Sequence, residues 1–562
     1  MKTIKSLILL TLLTGLITSC STKKEQMTQE LVTFIKKHDS VLIPLYKQTT
    51  LASWEAAISG KPEDFKKAED LNLKMMALYS NKESLKKLEE IKVSGMITDT
   101  LLNRQLDVLY RSFVMAKADT GKLNTMVRMG IAIEQKYGNF RTEVKGKKMS
   151  DNDVEEILHT SKDVNYQKEV WEAQKKIGPI VADDIKKLVQ VRNEVAKELG
   201  FKNYHEMSLT LSDQDPKEVS ALFDELDSLT TIAFAQVKAD IDTYFVKYYN
   251  LKSTNDLMPW NYQNRFFQEA PKIYDVDLDK YYKDKNLETL VTSYYEGIGL
   301  PMEEIIKNSD LYEKPGKNQH AFCTDIDNAG DVRVLCNIKS NSYWMNTLLH
   351  EFGHAVYDKN IDTTLPFILR DPAHTFTTEA IANMFGRFSA NPQWIKDMTG
   401  ISEEEKMKIA ENSFKTLRLQ QLVFSRWAQV MYRFEKSMYE DPKQDLNKLW
   451  WDLVEKYQLL KRPAGRNEPD WATKIHIATY PCYYHNYLLG ELLASQLYYY
   501  IVGNIVKSED FKFQSFVGNK EIGSYLKDKV FMPGSRWYWN EMIEKATGEK
   551  LTAKYYARQF VN

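Results

Sequence analysis

The chain has few of the residues that interrupt or staple a backbone: 23 glycines, 16 prolines and four cysteines in 562 residues. No Gly/Ser-rich or Pro-rich linker divides it, no repeat of fixed period runs through it, and no low-complexity tract stands apart. Separable domains are therefore not expected, and one large domain is. Charge of one sign is also lacking, since 76 Lys and Arg balance 77 Asp and Glu for a net charge of -1. That balance gives no electrostatic reason to expect nucleic acid as a partner. What remains is 43% hydrophobic content and long Lys/Glu/Leu-rich stretches with helical period. The expected class is mainly α.

The conspicuous apolar run is Leu7 to Ile17, preceded by Lys2 and Lys5, and it is too short to span a bilayer. It ends in Ile17-Thr18-Ser19-Cys20, which resembles the lipobox of bacterial lipoproteins. The expectation is a signal peptide over residues 1–20, removed before Cys20, and a polar tether over 21–28. A single catalytic domain then occupies 29–562. A lipid on Cys20 would hold the protein to a membrane without spanning it, facing the periplasm or the cell surface. Which membrane, and the oligomeric state, stay open. In an oxidising compartment Cys323 and Cys336, flanking the turn Asp327-Asn328-Ala329-Gly330, are equally compatible with a disulfide and with free thiols. Cys482 reads as a buried thiol.

From about residue 29 to 250 the pattern is successive amphipathic helices, one of them running through Val191-Arg192-Asn193 to a stop at Gly200. His205 is followed four residues on by Leu209, so it lacks a partner ligand and is expected to be structural. His38 and His159 lie among charged residues and are expected at the surface. One small β-hairpin is expected between about 320 and 338, where β-branched residues gather. Helical pattern resumes at Tyr343 and returns over 403–435, 446–460 and 484–502.

The resumed helix carries His350-Glu351-Phe352-Gly353-His354. Histidines four apart project from one helical face and can share one zinc ion, with the intervening glutamate placed to act on a water. Catalytic zinc takes three protein ligands and keeps a fourth position open. Tyr357 and Asn360 stand where a metzincin has its glycine and third histidine, which excludes that class. Asp358, Asp362, Asp371, His374 and Glu379 are the downstream candidates. Glu379 is preferred, because Thr375-Phe376-Thr377-Thr378-Glu379 reads as a helix start that would hold its carboxylate rigidly. Asp358 suits a salt bridge or a supporting place instead. Asn383 shares the face of Glu379 and would orient a ligand.

Beyond the motif the sequence resembles the angiotensin-converting-enzyme family of zinc peptidyl-dipeptidases. The resemblance rests on Trp450-Trp451-Asp452-Leu453, Lys456-Tyr457-Gln458, Pro463 and Arg466, then Lys474-Ile475-His476-Ile477, Tyr484 and Tyr487. His320-Ala321, thirty residues before His350, adds to it, and Arg192-Asn193 is a weaker match. The family implies a large helical ellipsoid of two halves with a deep central cleft. It implies one zinc ion per chain on His350, His354 and Glu379, with Glu351 as base and then acid. His476 and Tyr487 would donate to the oxyanion, and Lys474 and Tyr484 would hold the peptide's C-terminal carboxylate. His320 and the Ala321 backbone would align the peptide main chain. A family glutamine shares the carboxylate, and a carboxypeptidase relative uses an arginine instead. Trp260-Asn261-Tyr262-Gln263-Asn264-Arg265 offers both Gln263 and Arg265, which leaves dipeptide against single-residue release open.

Three departures are visible. The gap from His354 to Glu379 is one residue longer than in the converting enzymes and resembles thimet oligopeptidase and the oligoendopeptidases. Asn383 replaces the family's aspartate, and Asn486 replaces the arginine linked to chloride activation.

Overall fold

Helices dominate the computed structural model, which describes residues 2–561, without side chains before Lys23. Cys20 carries no described side chain, so the lipidation site lies outside the described residues. The expected tether is helical from Lys23 on, and Met27 already packs against the first core. No helix among the described residues is long and apolar enough to cross a membrane.

Two packed cores flank the cleft. The larger is continuous from Ile133 to Phe560. The smaller is built by N-terminal helices around Leu31, Leu88, Leu106 and Phe113, and it closes on Phe367, Ile368 and Leu369. This is where the expected division into halves is found: an N-terminal cap of helices over a larger body. His38, expected at the surface, is 6% exposed inside the cap, ringed by Phe34, Tyr79 and Phe113. Its charged sequence neighbours lie on the outer face of the same helix, which hides the aromatic cage from a reading along the chain.

Two β-hairpins are present among the described residues, one more than expected. The first pairs β1 (Thr142–Val144) with β2 (Lys147–Met149) across Lys145 and Gly146, both at positive φ, the geometry that a two-residue hairpin loop requires. The second pairs β3 (Phe322–Asp325) with β4 (Val332–Leu335). Its register sets Cys323 opposite Val334, so Cys336 lies on the diagonal. Diagonal positions are about 7–8 Å apart, beyond the usual reach of a disulfide. Cys323, Cys336 and Cys482 are all free thiols.

Three helices position the site. The motif helix, Ser342–Lys359, starts where Asn341 accepts from the Trp344 N–H (2.9 Å). The glutamate helix, Thr375–Gly386, is capped by His374, whose Nδ1 accepts from the Phe376 N–H (3.2 Å). The tyrosine helix, His485–Tyr500, runs on into a π-turn at Ile501–Val506. Asn346 Nδ2 donates to the Gly386 carbonyl (2.8 Å) and Tyr295 donates to the Leu349 carbonyl (2.6 Å), which fixes the motif helix on both sides.

Candidate metal centre and cleft

Two glycines bring the three helices together. A Cβ on Gly353 would lie 2.8 Å from the Ala382 Cα, so the motif and glutamate helices touch backbone to backbone. A Cβ on Gly490 would lie 3.2 Å from the Glu379 Cβ, so the tyrosine helix presses on the glutamate helix beside its key residue. The contact converges His350, His354 and Glu379, whose ligating atoms all lie within 4.8 Å of one another.

The spacing suits zinc. His350 Nε2 and His354 Nε2 are 3.3 Å apart, and His350 Nε2 is 3.8 Å from Glu379 Oε2. Two ligands at about 2.05 Å from a tetrahedral ion stand about 3.3 Å apart. His354 Nδ1 meets Thr378 Oγ1 at 2.7 Å, which leaves Nε2 free to face the ligand cluster. His350 hydrogen-bonds the Asn383 side chain, the neighbour expected to orient it. Burial lowers His350 to about 4 and His354 to about 3, so both imidazoles are neutral, the form that binds metal. Burial, then the Glu379 charge, pushes the Glu351 carboxyl up to about 8.

These residues line a cavity of about 820 Å³ that runs from the cap (Val108, Arg111) to Ala321, Tyr483 and Asn486. The rejected ligand candidates have other places. His374 bonds the Ser212 carbonyl (2.8 Å), and Asp362 caps Thr364 (2.8 Å). Asp358 and Asp371 line the cavity outside the ligand cluster, and Asp358 forms no salt bridge among the described residues. Burial holds the Asp358 carboxyl well above the usual carboxylate range. His205 is buried against Tyr432, and Cys482 is buried. Ala321 lines the cavity just before β3, whose outer edge is unpaired; His320 beside it is exposed.

A second cluster forms around Lys474. Its ammonium donates to Gln268 Oε1 (2.6 Å) and lies 5.3–5.5 Å from the ring centres of Phe266, Trp427 and Tyr484. Burial, then the Arg265 charge, lowers Lys474 to about 7. The Tyr484 oxygen accepts from Trp427 Nε1 (2.7 Å), which leaves its own proton to donate. His476 packs edge-on to Tyr484, and Tyr487 stands 5.3 Å from the ring centres of both Tyr483 and Tyr484. Cys482, left-handed at φ 55°, turns the chain into this cluster and donates its N–H to the buried Glu435 (2.9 Å).

Neither residue left open as the partner of Lys474 is its partner. Gln263 is buried and donates to the His159 carbonyl (3.0 Å). Arg265 is held by Glu155 (2.5 Å) and Asp151 (2.6 Å). Gln263 and Phe267 both have positive φ, and Asn264 Oδ1 accepts from the N–H groups of Phe266 and Gln268. The chain turns through that knot and delivers Gln268 instead.

Comparison with known proteins places this architecture. The profile of the angiotensin-converting enzyme peptidases matches residues 25–560. The chain belongs to that family. Angiotensin-converting enzyme of Rattus norvegicus is 22% identical over 431 residues, covering 71% of this chain and 32% of that one. The enzyme of Theromyzon tessulatum is 23% identical over 310 residues, 52% of this chain and 50% of its own. Carboxypeptidase 1 of Bacillus subtilis (strain 168) is 26% identical over 262 residues, 42% of this chain and 50% of its own. The chain thus spans about a third to a half of the length of these curated relatives. The family's peptidases are zinc metalloenzymes, in keeping with the donor set found here.

Gly353→Ala tests the packing argument. The added methyl forces two helix backbones apart at a cost of about 1–3 kcal/mol. The expected result is a lower melting temperature together with weaker zinc retention against a chelator; an unchanged protein on both counts would refute the close-contact role.

Proposed function

We propose that the protein is an exported zinc peptidase that releases dipeptides from the C-terminal ends of oligopeptides, with one zinc ion per chain. The observation that carries this reading is a His350-His354-Glu379 donor set whose cavity wall, at Tyr483, is joined through the ring contacts of Tyr487 and Tyr484 to a Lys474-Gln268-Tyr484 cluster suited to a free carboxylate. Zinc on those donors would polarise the scissile carbonyl and acidify a water. Glu351, next to the ligand His350 on the motif helix, takes the water's proton and returns it to the leaving amine. Tyr487 is kept a protonated donor by burial, then by the Glu379 charge. With His476 it would hydrogen-bond the carbonyl oxygen as negative charge grows there. The free edge of β3, with Ala321 and His320 before it, would receive the peptide main chain as an added strand.

Single-residue release, the carboxypeptidase alternative, is disfavoured because the Arg265 guanidinium is already paired with two acids. An oligoendopeptidase would have no use for the Lys474 cluster, and an inactive peptide-binding lipoprotein would have none for Glu351. Cys20 is the proposed lipid anchor, and residues 29–562 the proposed single catalytic domain.

Glu351→Ala should keep its zinc and lose about 10²–10⁴-fold in kcat; undiminished cleavage would remove Glu351 from the mechanism. Lys474 predicts a pH effect, because kcat/KM reports groups of the free enzyme. Below about 7 the lysine is charged and above it neutral. The kcat/KM ratio of a free-acid peptide to its C-terminal amide should therefore fall as pH rises through 7. A flat ratio near one would rule out carboxylate recognition. Chloride should have little effect, because the neutral Asn486 side chain, bonded to Gln214 (2.8 Å), occupies the place of the activating arginine. A large activity rise on chloride titration would contradict this.

A further inference from the structure

His350 also lines a second, partly open cavity of about 170 Å³. Asn346, Asn383, Arg387, Gln421 and Glu491 line it together with His350 itself. Gln421, 4% exposed, leaves Oε1 without a protein partner there, and the Arg387 Nε and Ser413 Oγ atoms are likewise unpartnered. Orphaned polar atoms around a space of this size fit bound water.

The carboxylate in that wall is Glu491. It sits one helical turn past Tyr487 and directly after Gly490, the glycine that lets the tyrosine helix press on Glu379. Arg387 holds it by an ion pair at the end of the glutamate helix. Glu491 lines this cavity together with His350, and Gly490 beside it packs against Glu379. Asn383, which bonds His350, is neutral, and a metal-bound histidine is usually backed by a carboxylate, a backbone carbonyl or water.

We infer that Glu491 is a positioning residue for the metal centre: across the cavity it shares with His350 it supplies the negative charge that Asn383 does not. It would strengthen His350 as a donor and favour the dication without touching zinc or peptide. This rests on the zinc reading above and goes beyond it.

The test is zinc affinity, measured by chelator competition on the full chain, with the melting temperature of the metal-free protein as a check on folding. Glu491→Gln keeps the shape and removes the charge; zinc binding should weaken about 10–100-fold, while the metal-free protein stays folded. Adding Asn383→Asp to it should restore most of that loss, a rescue that a merely structural role would not give. Binding within about threefold of wild type, or a folded double variant no better than the single one, overturns the inference. Should Glu491→Gln not fold, Arg387→Gln leaves the carboxylate unscreened and should tighten zinc binding; equal or weaker binding overturns the inference. If the wild-type chain itself binds no stoichiometric zinc, the metal reading fails, and that result is distinct from a failure at Glu491.

Discussion

The site depends on one steric constraint: three helices approach so closely that a side chain at Gly353 would strike the facing backbone and one at Gly490 would crowd Glu379. Gly353 sets the motif helix against Ala382, and Gly490 sets the tyrosine helix against Glu379. His350, Glu351, His354, Glu379 and Tyr487 all hang from these helices. A methyl at either glycine would separate groups whose value lies in distances of 3–4 Å. Interiors at crystal-like density pass such a shift on to their neighbours, so the packing of the helices and the chemistry of the cleft are one problem.

The electrostatics follow from the same packing. Close approach buries two imidazoles and two carboxyls with few counter-charges, so the histidines stay neutral and the glutamates are pushed toward neutrality. A dication among these donors reverses that cost, because it replaces water as the partner of the carboxylates. Burial acts on Lys474 in the same sense, disfavouring its charged form, so its ammonium gains from an anionic partner. A peptide's terminal carboxylate is such a partner. On the proposed reading, the metal donors and Lys474 together favour a ligand with a polarisable carbonyl and, beyond it, a free acid.

Much of this was legible in the chain, and the exceptions have physical reasons. Two histidines at helical spacing and a glutamate near a helix start depend only on local periodicity, and they meet as expected. Gln268 was missed because its delivery depends on two non-glycine residues in left-handed conformation and on an Asn264 side-chain turn, which leave no pattern in residue type. The β1–β2 hairpin was missed because Lys145-Gly146 is not among the common hairpin dipeptides. His38 was misplaced because its cage is assembled from three separate helices. Glu379 stands beside the two histidines, on a helix capped by His374.

The central claim is that metal site and carboxylate site act on one peptide at a fixed spacing. The most direct measurement is the mass of the products released from a free-acid oligopeptide by the zinc-loaded protein and by the same protein after chelation. The account predicts a C-terminal dipeptide as the first product, lost on chelation and regained when zinc is returned. Internal fragments from the start, or cleavage that survives metal removal, would contradict it.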